Sequence, residues 1–343
     1  MIDGLRRSNF RVKDLDVSGT LTGNATNNGP GKVWYVDASV ARGSSGNGTT
    51  WEEAVITIAE AIALASRLDT IYIAAKDITD ATGDPGSYEE NLTIPLTCDG
   101  LALIGISRGR TQGGLPQLKD GATTTQHILR IRAPGCLIAN LGFDGAGNTG
   151  GGILLDDDNS TKSAFGTTIA NCHFKNCKGT TATDAETGGA INWPTVGNAW
   201  QVLITGCRFY KNVGDIVLMG TSNTRPQDVV IEDCDFSGYA AYTDCNIFGT
   251  GTGGGFGSIK INNCRFGQLP AIGSGSNARY FDLTGTLSGT ISNCTFGCNT
   301  DDAGTTITFK AAGTGGLLPT TVHIMNCYGQ SGTVKESAEI NIA

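Results

Sequence analysis

The hexapeptide Ile261-Asn262-Asn263-Cys264-Arg265-Phe266 constrains this chain more than any other stretch, because it recurs with little change. Copies occupy residues 138–143, 169–174, 204–209, 231–236 and 291–296, and a decayed copy occupies 324–329. The spacing is irregular at roughly 30 residues, the range in which each unit is one supersecondary element stacked on its neighbours.

Within a copy the Ile points inward and the next residue outward, as in a strand. After the third position the alternation restarts with its phase shifted: Cys in, a polar residue out, Phe in. A phase break between two short strands is a bend. The bend positions hold Asn140, Asn171, Gly206, Asp233, Asn263, Asn293 and Asn326. These residue types enter the left-handed region most cheaply, so each copy predicts a strand, a single-residue corner and a second strand. A third apolar run precedes each copy, at 129–131, 153–155, 216–218, 281–283 and 307–309. Three strands per coil predict an all-β fold, a right-handed parallel β-helix. About ten coils at ~4.8 Å per stacked strand give a rod of roughly 50 Å. The corner amides then stack as a ladder.

Composition narrows the function classes. The 343 residues include 50 Gly, with 39% hydrophobic and 16% charged, enough for a sizeable core with many tight turns. No Gly-X-Y period appears, which excludes collagen. A net charge of −8 argues against a general nucleic-acid footprint. No apolar run is long enough for membrane insertion. Six of the eleven cysteines share one repeat position: Cys172, Cys207, Cys234, Cys264, Cys294 and Cys327. They lack the close spacing of zinc sites and read as an inward column of reduced thiols acting as small hydrophobes. An odd cysteine total, with no apolar segment after Arg6-Arg7, fits synthesis in a reducing cytoplasm. No cofactor and no metal are expected.

The chain divides into three parts. Residues 1–30 read as an arm for attachment or oligomerisation, with Phe10, Val12, Leu15, Val17 and Leu21 alternating in a segment too small for its own core. Residues 31–75 hold a strand and a capping helix expected over 51–68, where Thr50 with Glu53 and Thr57 with Glu60 both fit a capping box. Residues 76–343 are the β-helix itself.

Several stretches carry a resemblance. Tyr35-Val36-Asp37, Gly48-Thr49-Thr50-Trp51, Thr57-Ile58-Ala59-Glu60-Ala61-Ile62 and Asp69-Thr70-Ile71-Tyr72-Ile73 resemble the opening of pectin-lyase-like right-handed parallel β-helices. Tyr88-Glu89-Glu90-Asn91-Leu92-Thr93-Ile94 and Leu101-Ala102-Leu103-Ile104-Gly105 are similar to that superfamily's first coils. The resemblance covers 33–343 and implies the fold. It does not imply one activity, since the superfamily includes lyases, hydrolases, epimerases, adhesins and phage tailspikes. The Arg-x-Pro-x-x-Arg and Trp-Ile-Asp-His motifs of pectate lyases are missing, as is the Gly-His-Gly of polygalacturonases. Residues 16–23 resemble the Gly-Thr-Leu strands near the start of phage fibre proteins.

The expectation is therefore a non-enzymatic phage virion structural protein, made in the host cytoplasm. It would be a homotrimer bound to a capsid or tail protein through residues 1–30, with a cell-surface glycan as a further partner. Trp193 and Trp200 read either as a glycan platform or as loop packing. Asp215, Glu232, Asp235 and Asp282 are candidate face-lining carboxylates, and Asp184 with Glu186 sits on a long loop. Asp156-Asp157-Asp158 reads as a turn or as a Ca²⁺ ligand set. The alternative is a carbohydrate-active tailspike or polysaccharide lyase or hydrolase, which needs two opposed carboxylates.

Overall fold

A single residue in each repeat turns the chain from one sheet to the next, and this corner sets the cross-section of the molecule. The structure, a computed structural model, describes residues 31–39, 44–77, 86–106, 114–121, 126–145, 150–156, 164–179, 188–194, 199–221, 226–236, 245–252, 256–267, 279–283, 286–297, 316–317 and 321–330. The arm residues Phe10, Val12, Leu15, Val17 and Leu21, the run 307–309, and Asp157, Asp158, Asp184 and Glu186 lie outside them.

Three parallel sheets of ten, nine and eight strands make the solenoid. The first sheet starts with Val33–Val36, Thr70–Ala74 and Ala102–Ile106, then takes the Ile-bearing strand of every repeat to Val322–Met325. The second runs from Ser87–Glu89 to Tyr328–Gln330 and takes the Phe-bearing strands. The third runs from Leu92–Ile94 to Gly316–Leu317 and takes the apolar run before each repeat. From Ser87 to Met325 the strands form eight complete three-strand coils, fewer than about ten, because the first turn carries a helix where two strands would stand.

The stacking is in register residue by residue. Ile138, Ile169, Ile204, Ile231, Ile261, Ile291 and Ile324 pair in sequence down the first sheet. Phe143, Phe174, Phe209, Phe236, Phe266 and Phe296 stack inside the second, with centroids 4.6–5.2 Å apart and rings within 12° of parallel. The corner residues Asn140, Asn171, Gly206, Asp233, Asn263, Asn293 and Asn326 have φ between 51° and 63°. Each corner N–H from Asn140 to Asn293 donates to the carbonyl just before the corner of the next coil. The same carbonyl accepts the thiol of its own coil's cysteine. Cys172 Sγ reaches Ala170 O at 3.4 Å, and Cys264 Sγ reaches Asn262 O at 3.3 Å. Cysteine suits the position because it is small, apolar and still a weak donor. Ten cysteines among the described residues are free and buried.

A second ladder of left-handed corners precedes the first sheet, at Leu68, Gly100, Gly135, Gly166, Gln201 and Asp228. Its N–H groups also bond forward, for example Gly100 N to Pro134 O at 2.8 Å.

The helix is shorter than expected, spanning Ile58–Leu64 rather than 51–68. Thr50 and Glu53 make only a turn, the Thr50 hydroxyl accepting Glu53 N–H at 3.2 Å. Val55 is instead drawn into a parallel bridge with Val36, and that bridge covers the outer edge of the first strand. Thr57 and Glu60 form the capping box. The Glu90 carboxylate accepts the N–H groups of Ile58 and Ala59 at 3.0 and 2.9 Å, which satisfies two of the helix's orphan donors. Ile58, Ala61 and Ile62 are buried, and the helix packs beside Leu92–Ile94, the edge strand of the third sheet.

Candidate functional site

The length of the connections distinguishes the three faces. From Asn140 to Asn326 the first and second sheets meet at one residue in every repeat, whereas in the two coils before it they are joined by the longer connections Ala74 to Ser87 and Ile106 to Gln117. The third sheet is different. Chain enters it through the connections Lys119 to Leu129, Asp144 to Ile153 and Lys175 to Ile191. Chain leaves through Leu155 to Thr168 and Asn192 to Leu203. A rigid floor between two sets of variable connections is where a scaffold carries function.

The outward row of that floor reads Thr93, Arg130, Leu154, Asn192, Val217, Phe248 and Asp282 in register. Its middle, Leu154 to Val217, is buried. Its two ends carry charge. At one end Asp156 Oδ2 pairs with Arg130 Nε at 2.9 Å and with Arg132 Nε at 3.1 Å. The carboxylate is buried and both guanidiniums reach solvent. At the other end Asp282 pairs with Arg279 at 3.3 Å. Beside Arg130, His127 is held neutral: burial first, then the Arg130 charge, lower its pKa to about 4. His127 Nε2 and Asn192 Oδ1 are buried without a hydrogen-bond partner among the described residues. Gly151 lies between these two residues, where a Cβ would come within 2.6 Å of both side chains.

The four candidate carboxylates do not share a face. Asp215 is not outward at all. It is buried at the corner between the second and third sheets, where Asn212 Nδ2 and Asn246 Nδ2 donate to it at 2.8 and 2.7 Å. Burial raises its pKa to about 7. Glu232 belongs to the first sheet and Asp282 to the third. Asp235, on the second, bridges Arg208 at 3.2 Å and Arg265 at 3.0 Å. The neighbouring outward row of the second sheet alternates in sign, Glu89, Lys119, Asp144, Lys175, and two pairs close at 3.2 and 3.1 Å. These charges hold stacked coils together.

The two candidate tryptophans separate. Trp193 points into the core at 1% exposure and donates Nε1–H to Ala199 O at 2.7 Å, because it continues the inward phase of strand Ile191–Asn192. Trp200 is 37% exposed and stacks on Phe165, with centroids 5.3 Å apart. The pair is therefore not a joint platform. A groove of about 480 Å³ on the first sheet, lined by Asp228, Ser258, Lys260, Thr290 and His323, has single-residue corners beside it rather than long connections. Among the described residues, no group of three or more His, Cys, Asp or Glu is placed to hold a metal ion, and no helix is long and apolar enough to cross a membrane. Asp156, the described member of the Asp156-Asp157-Asp158 run, is committed to its two arginines.

Escherichia coli YbhC superposes over 92% of this chain and 88% of its own, with a TM-score of 0.52 and 12% identity. The likeness is one of fold, and the fold of this chain is a parallel β-helix. Two further solved structures align at TM-scores under 0.5. Aspergillus niger pectin methylesterase covers 89% of this chain and 88% of its own at TM-score 0.48 and 14% identity. Geobacillus virus E2 ORF18 covers 86% of this chain and 57% of its own at 0.49 and 16%. At these identities the likeness concerns fold alone. The chain matches no protein-family model and no curated protein sequence.

Proposed function

We propose that this β-helix is a non-enzymatic virion structural protein that presents the outer face of its third sheet to a cell-surface glycan. Residues 1–30 fix it to a capsid or tail protein, and three copies assemble. The observation that carries the reading is the commitment of the three described candidate carboxylates at that sheet. Asp156 is held by Arg130 and Arg132, Asp282 is held by Arg279, and Asp215 is turned into the interior. Hydrolysis of a glycosidic bond needs two carboxyl groups facing each other across the bond, and carboxylates locked in ion pairs serve binding and stacking instead. The missing Arg and His motifs of the sequence agree.

The test is incubation of the purified full chain with pectate and with bacterial surface polysaccharide. Ultraviolet absorbance reports unsaturated products and a reducing-end assay reports hydrolysis. No turnover, with the polysaccharide retained on immobilised protein, is expected. Turnover of either polymer would establish the enzymatic alternative.

A further inference from the structure

Lys260 is the exception among the cations. Every other described lysine or arginine meets a carboxylate, a carbonyl, an aromatic ring or another group of the chain. Lys260 is exposed and meets none among the described residues. It stands on the outer face of the first sheet, in the groove of about 480 Å³. That volume lies within the range of small-molecule sites.

Two outward rows line the groove. In one, Val230, Lys260, Thr290 and His323 follow each other in register on successive coils. In the other, Asp228 is followed by Ser258 and Ser288, and the Ser258 hydroxyl donates to Asp228 Oδ1 at 2.5 Å. Between the rows runs the inward column Val229, Ile259, Gly289 and Val322. Its three side chains are buried, whereas Gly289 is partly exposed, so the groove reaches the backbone at that coil. A Cβ at Gly289 would come within 2.7 Å of Ile259 Cγ2 and 2.8 Å of Ile259 O, which leaves no room for a side chain. The hydroxyls of Ser288 and Thr290 have no partner among the described residues, and neither does Asp228 Oδ2.

The chemistry of the groove selects its occupant. Lys260 offers a positive charge, and Asp228 offers a carboxylate oxygen on the other row. A ligand that fits brings one negative charge for Lys260 and hydrogen-bond donors for Asp228. A second negative charge would face Asp228 and be repelled. Ser288 and Thr290 both donate and accept, as a sugar hydroxyl does, and Val230 gives the ring an apolar contact. We infer that this groove binds a sugar unit carrying a single carboxylate, a uronic acid, with the carboxylate at Lys260 and ring hydroxyls at Asp228, Ser288 and Thr290. The groove lies on the first sheet, apart from the third-sheet face of the glycan reading, and does not depend on that reading.

Calorimetry and saturation-transfer NMR on the full chain test this with D-glucuronate, D-glucose, acetate and D-glucose 6-phosphate. Glucuronate is expected to bind about tenfold or more tightly than glucose or acetate, the equivalent of one charge-assisted hydrogen bond. Lys260→Gln should bring glucuronate down to the level of glucose, and Lys260→Arg should keep part of the affinity because it keeps the charge. Thr290→Phe, which fills the groove, should abolish binding. Lys260 is exposed, and an unchanged thermal midpoint in Lys260→Gln shows that the variant is folded. Glucuronate that fails to bind, or binds Lys260→Gln as well as the wild type, overturns the site. Acetate binding as tightly as glucuronate overturns the sugar assignment, and tighter binding of glucose 6-phosphate overturns the single-charge assignment. Immobilised Lys260→Gln separates the two readings. If it loses glucuronate but retains surface polysaccharide, the groove is supported and the third-sheet contact stands. If it loses both, the glycan contact belongs to the groove. A wild type that binds glucuronate and retains no polysaccharide removes the third-sheet reading alone.

Discussion

Asn263 sits at φ 52°, and its amide donates to Asp233 Oδ1 of the preceding coil at 2.6 Å. An L-residue with a Cβ and no local hydrogen bond is strained there. Asn263→Ala should therefore lower stability by about 1–2 kcal/mol, and Asn263→Gly by less. Urea denaturation of both variants checks the order, and equal midpoints would contradict it. Asp215 makes a different demand. Its folded-state pKa of about 7 lies above the ordinary 3.8, because burial disfavours the charge more than the two Asn amides favour it. The unfolded chain then releases this proton near pH 4, while the folded chain keeps it to about pH 7. The contribution of Asp215 is full below pH 4 and is lost as pH rises to 7, on the order of 4 kcal/mol in total. Thermal midpoints at pH 4.5 and 7.5 should fall with pH in the wild type and change little in Asp215→Asn. An equal slope in both proteins would place the titration elsewhere.

At the scale of the element, the inward columns decide stability. Phe236 lies mid-stack, 4.8 Å from Phe209 and 4.6 Å from Phe266. Phe236→Ala should cost about 3–5 kcal/mol by leaving a cavity between two rings, and Phe143→Ala, at the end of the stack, should cost less. Chemical denaturation curves compare the two. The thiol column should be inert. The adjacent Cys264 thiol and burial together push Cys294 up to about 12, so little thiolate forms at neutral pH. In the folded chain a thiol reagent should spare Cys172, Cys207, Cys234, Cys264, Cys294 and Cys327, and after unfolding without reductant it should find all eleven thiols. These columns were legible in the sequence because each repeats one residue type at one position. The second corner ladder was not, since Leu68, Gln201 and Asp228 share it with three glycines and residue type no longer marks the site. The third sheet's strands are often only two or three residues long, between connections of varying length. Alternation within so short a strand could not show that Trp193 points in, or that Asp215 belongs to a corner.

At the scale of the whole molecule, each coil rests on its neighbours and stability is close to a sum of adjacent contacts. Residues 1–30, if they serve as the proposed arm, contribute little to that sum. Deleting residues 1–30 should leave the thermal midpoint nearly unchanged while converting a particle of three chain masses to one. Light scattering and calorimetry on the two proteins measure both. A trimer that survives the deletion would move the assembly surface onto the rod. The candidate face was readable only in part. The long connections are visible as irregular spacing between repeats, but Arg130, Arg132 and Asp156 come from two coils, and nothing local in the sequence joins them.

The one-residue corner between the first and second sheets has a consequence for how such a chain can change. A residue added at Asn171 or Asn263 would shift the Cys and Phe that follow out of their columns, and the corner N–H would lose its carbonyl in the next coil. From Asn140 onward that edge accepts substitution but not insertion. The connections on either side of the third sheet carry no such phase, so inserted segments there leave the columns intact. From Asn140 onward, descendants of this sequence are therefore free to grow beside the third sheet, and a peptide grafted between Lys175 and Ile191 would leave the outline of the one-residue edge unchanged.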